Sequence, residues 1–468
     1  MKKFRTLLSC VLILLLISAS IPFSVSAASD YVVEDGVLTE YKGNSKDIVI
    51  PSIVYYIADS VFMDNKQIRS VNLNGVSIIG NNAFSGCTSL ETVTGYNNVE
   101  SCGAYAFFNT PFQNNRSDKT LIMGSVLVNS TASGAYTVPS GVKSISSYAF
   151  VNNTGLTSVT IGDSVSSIGE GAFYGCSKLS SVSVSSAVSY IGPFAFEGSK
   201  FLTSKTDQFV ILGNGILVDV NTTSSSVKIP SSVKQIAAGV FYQNKTLSSV
   251  EIPDSVTAIG MRAFSGCTSL STVTLPDSLV LLDKEAFYQC TSLKGAVIPK
   301  SVEVIGDSVY LGCTALATVR NLSSAPISSG MFAGCTSLKY VMNPNASVSV
   351  GSYAFYNCKA LTEISLPGTV SYINPNAFNG CNKGMTVHCY LNSYSADYFD
   401  NMGINVFEMG DANSDGKLNI KDASHIQKAT AGMLNLSFSD TLKADADLNA
   451  TINIRDATRV QKVLAGLI

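Results

Sequence analysis

Apolar and polar positions alternate along most of this chain and then reset, with a period of 23 residues. In Leu247-Ser-Ser-Val250-Glu-Ile252-Pro253, Val250 and Ile252 face one way while Ser249 and Glu251 face the other, the two-residue period of a β-strand. Pro253 turns the chain at the strand end without losing a ladder donor. A second apolar pair, Val256 and Ile259, follows and closes on Gly260, which tolerates positive φ. Ala263-Phe264 then supplies a bulky wedge, and Leu270 starts the next unit.

The wedge fixes the register of the whole body. It recurs as Phe62, Phe84, Phe107, Phe150, Phe173, Phe196, Phe241, Phe264, Phe287, Tyr310, Phe332, Phe355 and Phe378, at intervals of 22 or 23 residues except for two of 43 and 45. Proline stands eleven before it at Pro51, Pro139, Pro230, Pro253, Pro276, Pro299, Pro344 and Pro367. Isoleucine stands five before it at Ile57, Ile79, Ile145, Ile168, Ile191, Ile236, Ile259, Ile305, Ile327 and Ile373, and alanine usually directly precedes it. One such unit cannot bury its own apolar side chains, whereas stacked units bury a continuous strip. The pattern therefore predicts a β-rich solenoid of about 13 coils, on the order of 60 Å long at about 4.8 Å per step.

Each long interval carries a variant, at Leu121 to Leu127 and at Val210 to Leu217, matched near the start by Tyr31 to Leu38. In each, a turn separates two short apolar runs, which predicts either a wider coil or a protruding hairpin. Met385 to Ile404 breaks the period with a strand and a short helix, as a cap over the last apolar face would. Strings such as Ile259-Gly260-Met-Arg-Ala263-Phe264-Ser-Gly-Cys267-Thr-Ser-Leu270 resemble the leucine-rich repeats of the bacterial surface-antigen, or BspA-like, type. The resemblance covers about residues 30 to 407. It implies extracellular adhesion or ligand binding without chemistry of its own, and it names no ligand.

The amino terminus reads as an export signal. Lys2, Lys3 and Arg5 precede an apolar run from Leu7 to Ile17, and the small residues Ser24 to Ala28 offer a cleavage site. The run is shorter than the 20 or so residues that span a bilayer, so residues 1–27 are expected to be removed and no membrane insertion to follow. Their loss leaves 28 basic against 33 acidic residues, a mildly acidic product. Charged residues make up only 14% of the chain, and with this balance there is no electrostatic reason to expect nucleic acid as partner. Two histidines and no tryptophan nearly exclude a histidine-built catalytic metal site and rule out a sugar cleft built on indole rings.

Several reactive side chains have structural readings. Cys87, Cys176, Cys267, Cys290, Cys313, Cys335, Cys358 and Cys381 all lie three after the wedge, where Asn65, Asn153 and Asn244 substitute. Export would permit disulfides, but a residue repeated once per coil reads as a ladder of small buried groups, so free thiols are expected. Asp163, Asp254 and Asp277 share the position ten before the wedge and read as turn residues. No isolated carboxylate pair suits glycoside cleavage. Leu366-Pro-Gly-Thr369-Val370 half resembles a wall-sorting signal but falls in the repeat register.

The last sixty residues change character. Asp411, Asn413, Asp415, Asn419 and Asp422 place oxygen ligands at positions 1, 3, 5, 9 and 12 of a twelve-residue loop, with the Lys417 carbonyl at 7. That spacing wraps six to eight oxygens around Ca2+, a hard cation. The pattern recurs 34 residues later in Asp445, Asp447, Asn449, Thr451 through its carbonyl, Asn453 and Asp456, with Ala450 in place of the turn glycine. Two calcium sites are therefore expected. Each loop opens into a helix with one apolar face, Ile420, Ala423 and Ile426 in the first and Ile454, Ala457, Val460, Leu464 and Leu467 in the second. A domain this small is marginal without a staple, so the ions are expected to supply much of its folding energy.

The duplicated loop and helix over residues 410 to 468 resemble a type I dockerin, the module by which secreted bacterial proteins plug into cohesin domains of a scaffoldin. The resemblance implies partner contacts at Ile420, Lys421, Gln427 and Lys428 and again at Ile454, Arg455, Gln461 and Lys462. The near-identity of the two sets would allow docking in either of two orientations. His425 is matched by Arg459 and reads as a surface residue. The expected organisation is a signal peptide over 1–27, a leucine-rich repeat solenoid with terminal cap over 28–407 and a dockerin over 408–468. The expected function is a secreted, non-enzymatic binding or adhesion protein attached through cohesin to a cellulosome-like, polysaccharide-degrading assembly, its repeats taking an unknown glycan or protein. The alternative is a glycoside-hydrolysing component with an unrecognised site in the repeats.

Overall fold

The structure, a computed structural model, describes residues 30–467 apart from 344–348, 391, 414, 416 and 448–450. The expected leader over 1–27, Pro344 and the loop residues Asn449 and Ala450 lie outside the described residues.

The coil that begins at Leu247 shows how the period becomes structure. Strand Ser249–Glu251 buries Val250, and the Pro253 turn closes with the Val256 N–H donating to the Pro253 carbonyl at 3.0 Å. A two-residue strand, Ala258–Ile259, buries Ile259. Turns then carry the chain to Phe264, with Arg262 at φ 56. Val256, Ile259, Ala263, Phe264, Cys267 and Leu270 are all fully buried, so every apolar position of the period reaches one strip of core. Neighbouring coils pair in parallel on both strand faces, Val250 with Val227 and Val273, Ile259 with Ile236 and Leu282. On the return side the Phe264 N–H donates to the Ala286 carbonyl at 2.8 Å, which joins the coils a third time.

The ladder has 16 rungs, not the 13 that the wedge register counts. The three additional rungs are Val37-Leu38, Val126-Leu127 and Ile216-Leu217, each the start of the second strand of an antiparallel hairpin and each paired in parallel to the next coil. The hairpins are Tyr31–Glu34 with Val37–Tyr41, Thr120–Met123 with Val126–Ser130, and Phe209–Leu212 with Ile216–Val220. They are built into the stack, and they carry no wedge aromatic, which is why the aromatic count misses them. Two single-turn helices, α1 (Pro111–Asn114) and α2 (Lys200–Thr203), lead into the second and third hairpins.

The hairpins divide the core. Buried side chains form three clusters, Leu38 to Val128, Leu127 to Ala237 and Leu217 to Ile404. The wedge rings likewise stack in three columns, Phe62 to Phe107, Phe150 to Phe196 and Phe241 to Phe378, with centroids 4.8 to 5.7 Å apart. A crossed ring ends each column: Phe112 on Phe107, Phe201 on Phe196 and Phe399 on Phe378.

Phe399 belongs to helix α3 (Tyr394–Asn401), which with strands Thr386–Cys389 and Asn405–Glu408 caps the last coil. Beyond it lie three helices: α4 (Ile420–Thr430), α5 (Phe438–Ala444) and α6 (Ile454–Leu464). The sequence pattern predicts α4 and α6 but not α5. Helices α4 and α6 pack through Ala423, Ile426, Ala457 and Val460, all buried.

Candidate functional site

The two carboxyl-terminal loops are folded by the same hydrogen bonds. Asn419 caps α4, its Oδ1 accepting from the Lys421 N–H at 2.9 Å, and Asn453 caps α6, accepting from the Arg455 N–H at 2.9 Å. Asp422 completes the first capping box by accepting the Asn419 N–H at 2.8 Å and spends its other oxygen on the Asn413 N–H at 3.1 Å. Asp456 does the same in the second, with the Asn453 N–H at 2.8 Å and the Asp447 N–H at 3.1 Å. Asn419 Nδ2 donates to the Lys417 carbonyl at 2.7 Å, and Asn453 Nδ2 donates to that of Thr451 at 2.8 Å. Position 12 of each loop therefore ties loop to helix in either half.

The carboxylates of the second loop converge, and those of the first, Asp411, Asp415 and Asp422, do not come as close together. Asp422, Asp445 and Asp456 are fully buried and Asp411 nearly so. Oxygens of Asp445, Asp447 and Asp456 lie within 4.8 Å of one another, the only such acidic group among the described residues. Burial, and then the charges of Asp447 and Asp445, push the Asp456 carboxyl up to about 7 against the backbone N–H bonds that favour its charge. Asp422 is raised for the same reasons, burial first and then Asp411 and Asp415. Three acids brought together in a buried place repel, and a hard divalent cation is the partner that such an oxygen set accepts.

Ile420 and Ile454 are 59% and 57% exposed, and Lys421, Gln427, Lys428, Arg455, Gln461 and Lys462 are exposed with them. Each helix thus presents its set to solvent. His425 and Arg459 are only half-exposed, and Arg459 lies over the Tyr390 ring at 4.5 Å.

The sequence pattern misses the seam between the helices and the solenoid. Ser439 of α5 donates to Glu363 at 2.7 and 2.8 Å, Lys443 lies 3.9 Å from the same carboxylate, and His388 Nε2 lies 3.5 Å away. Leu442 and Met342 bury each other, and the Phe438 and Tyr340 rings meet at 5.9 Å. The apolar spacing of Phe438 and Leu442 is the one sequence signal that could have found it.

The cysteine ladder is also bonded. The thiols of Cys87, Cys176, Cys267, Cys290, Cys313 and Cys358 each donate to the carbonyl of a wedge aromatic lower in the stack, at 3.0 to 3.2 Å. At the same position Asn153 donates through Nδ2 to the Ala132 carbonyl at 2.7 Å. Burial pushes the Cys267 thiol up to about 12 and those of Cys87 and Cys176 to about 11, the state of a structural thiol.

Residues 39–129, 128–209, 220–325 and 321–417 match the family described as BspA type leucine-rich repeat region. The chain belongs to this family. Two boundaries between matched segments of this BspA-type repeat protein fall at the second and third hairpins. It is similar to a leucine-rich cell surface protein of Faecalibacterium prausnitzii, at 24% identity over 81% of this chain and 98% of that one, TM-score 0.27. A leucine-rich repeat protein of Bacteroides ovatus is 20% identical over 84% and 99% of the two chains, TM-score 0.32. The pneumococcal vaccine antigen PcpA is 16% identical over 80% and 95%, TM-score 0.32. No curated protein matches the BspA-type chain. Among the described residues no helix is long and apolar enough to cross a membrane.

Proposed function

We propose that this BspA-type repeat protein is exported, that its solenoid is a non-catalytic binding or adhesion surface, and that residues 408–468 are a calcium-dependent dockerin. The dockerin would attach the solenoid to cohesin domains of a scaffoldin in a polysaccharide-degrading assembly. The observation that carries this reading is the convergence of Asp445, Asp447 and Asp456 within 4.8 Å at the head of α6. Asp411, Asn413, Asp415, Lys417, Asn419 and Asp422 would hold the first ion. Asp445, Asp447, Asn449, Thr451, Asn453 and Asp456 would hold the second. A bound Ca2+ would neutralise carboxylates that otherwise oppose one another and fix both loops against their helices. The matched exposure of Ile420 and Ile454 supports two equivalent docking faces, with α5 and Arg459 turned instead toward the solenoid.

Titration calorimetry on the exported chain tests the reading. Calcium is expected to bind with two sites per chain, and capture by immobilised cohesin to be lost in chelator. No calcium heat, or capture that chelator leaves unchanged, would overturn the assignment. Changing Lys421 and Lys428 together should leave cohesin binding largely intact, since Arg455 and Lys462 offer the second face.

A further inference from the structure

The solenoid has two internal junctions, one at the second hairpin and one at the third, and they are finished differently. At the first, the residues two before the flanking wedges are Tyr105 and Tyr148, whose rings stack at 4.8 Å. Beneath them the Ser146 hydroxyl reaches across to the Cys102 carbonyl at 3.0 Å. At the second, the corresponding residues are Phe194 and Gly239, and Ala237 stands where Ser146 would be. One ring and one hydroxyl are missing, and a cleft of about 760 Å³ opens there.

Six aromatic residues line it: Tyr105, Tyr148, Tyr174, Phe194, Phe196 and Tyr242. Three of them are held at a conformational cost. Tyr105, Tyr148 and Phe194 sit at φ 56, 59 and 54, a region uncommon for bulky side chains, although the same position is glycine at Gly171, Gly239 and Gly330. Tyr353 is the other ring retained there. The glycines explain the layout: a Cβ on Gly171 would lie 2.4 Å from the Tyr148 ring, and one on Gly239 would lie 3.2 Å from that of Phe194. Tyr148 and Phe194 each lie over a glycine of the next full coil. Tyr148 is also pinned, its hydroxyl donating to Glu170 at 2.6 Å.

The charge in the lining has one sign. Glu197 and Asp219 contribute carboxylates, and among the described residues no lysine, arginine or histidine lines the cleft. Burial raises the Asp219 carboxyl, opposed only by the Val220 N–H at 2.9 Å. Aromatic faces are negative as well. An anion would be repelled by this field, whereas a cation is attracted by rings and carboxylates together. The molecule already uses that pairing, with Lys205 over Phe201 at 5.0 Å and Arg459 over Tyr390 at 4.5 Å.

We propose that this cleft is a docking site for arginine or lysine side chains of an extended peptide segment of a partner protein, laid over Phe194 and Tyr242 toward Glu197 and Asp219. It deepens the reading of the repeats as a binding surface and is independent of the calcium module.

The test uses the exported chain in chelator, without cohesin, so that its outcome does not depend on the dockerin assignment. A short oligo-arginine peptide should bind and weaken with added salt. Tyr242→Ala and Asp219→Asn should each weaken it about tenfold, the span of one cation–π or charged contact. Gly239→Tyr, which restores the ring found at the first junction, should abolish it. Tyr242 is 46% exposed, so an unchanged melting temperature for Tyr242→Ala would separate lost binding from lost folding. Affinity unaltered by Tyr242→Ala and Asp219→Asn, equal binding of a citrulline peptide of the same length, or preferential capture of a neutral oligosaccharide by the same residues would overturn the proposal.

Discussion

A wedge position in the middle of a stack tolerates very little polarity, and Tyr310 is where this chain departs from phenylalanine. Its ring stacks between Phe287 at 5.4 Å and Phe332 at 5.7 Å, it is fully buried, and its hydroxyl has no hydrogen-bond partner among the described residues. Burying a hydroxyl without a partner costs about 1 to 3 kcal/mol, and removing it recovers that cost when the shape is kept. Tyr310→Phe is therefore expected to stabilise the protein by about 1 kcal/mol or more in a denaturant titration, with an unchanged m-value. A neutral or destabilising result would mean that the hydroxyl has found a partner.

The elements gain their independence from the hairpins. Because the second and third hairpins each interrupt both the wedge column and the buried cluster, a defect in one block has no continuous stack of wedge rings into the next. Phe287 lies in the third block, stacked on Phe264 and Tyr310. Phe287→Ala should cost about 3 to 5 kcal/mol, and hydrogen exchange should speed up between Leu217 and Ile404 while residues 38–128 keep their protection. Uniform loss of protection would show that the junctions transmit. The coil itself was legible in the sequence because each of its determinants is local: Pro253, Ile259, Phe264 and Cys267 sit at fixed offsets, the last three fully buried and Pro253 half-buried at the turn. The rungs at Val37, Val126 and Ile216 were not, since they carry no wedge and their parallel partners are set by stacking. The two loops proposed to hold calcium stand out by oxygen-ligand spacing alone. The aromatic cleft could not, because it arises from what Ala237 and Gly239 lack beside a junction that no local pattern announces.

At the scale of the whole molecule, one carboxylate joins the two halves. Glu363 lies on the long-strand face, and α5 reaches it from 76 residues away in sequence. Burial alone would raise its carboxyl, but His388, the Ser439 hydroxyl and Lys443 outweigh burial and hold it below the ordinary value of 4.5. A carboxyl depressed in the folded state contributes stability that is fully present above its unfolded value and is lost as pH falls through the folded one. The seam between α5 and the solenoid is therefore expected to hold at neutral pH and to loosen below about pH 4. Hydrogen exchange read at Leu442 should rise there before that of the solenoid core. Glu363→Gln should remove the acid step and weaken the seam at neutral pH by about 1.5 to 3 kcal/mol, the worth of a hydrogen bond to a charged group. If α5 stays protected at low pH in the unaltered chain, the contacts between Leu442 and Met342 and between Phe438 and Tyr340 hold the seam without the charge. The helices would then be a fixed end of the rod, with the Ile420 and Ile454 faces presented at a set angle to whatever partner they meet.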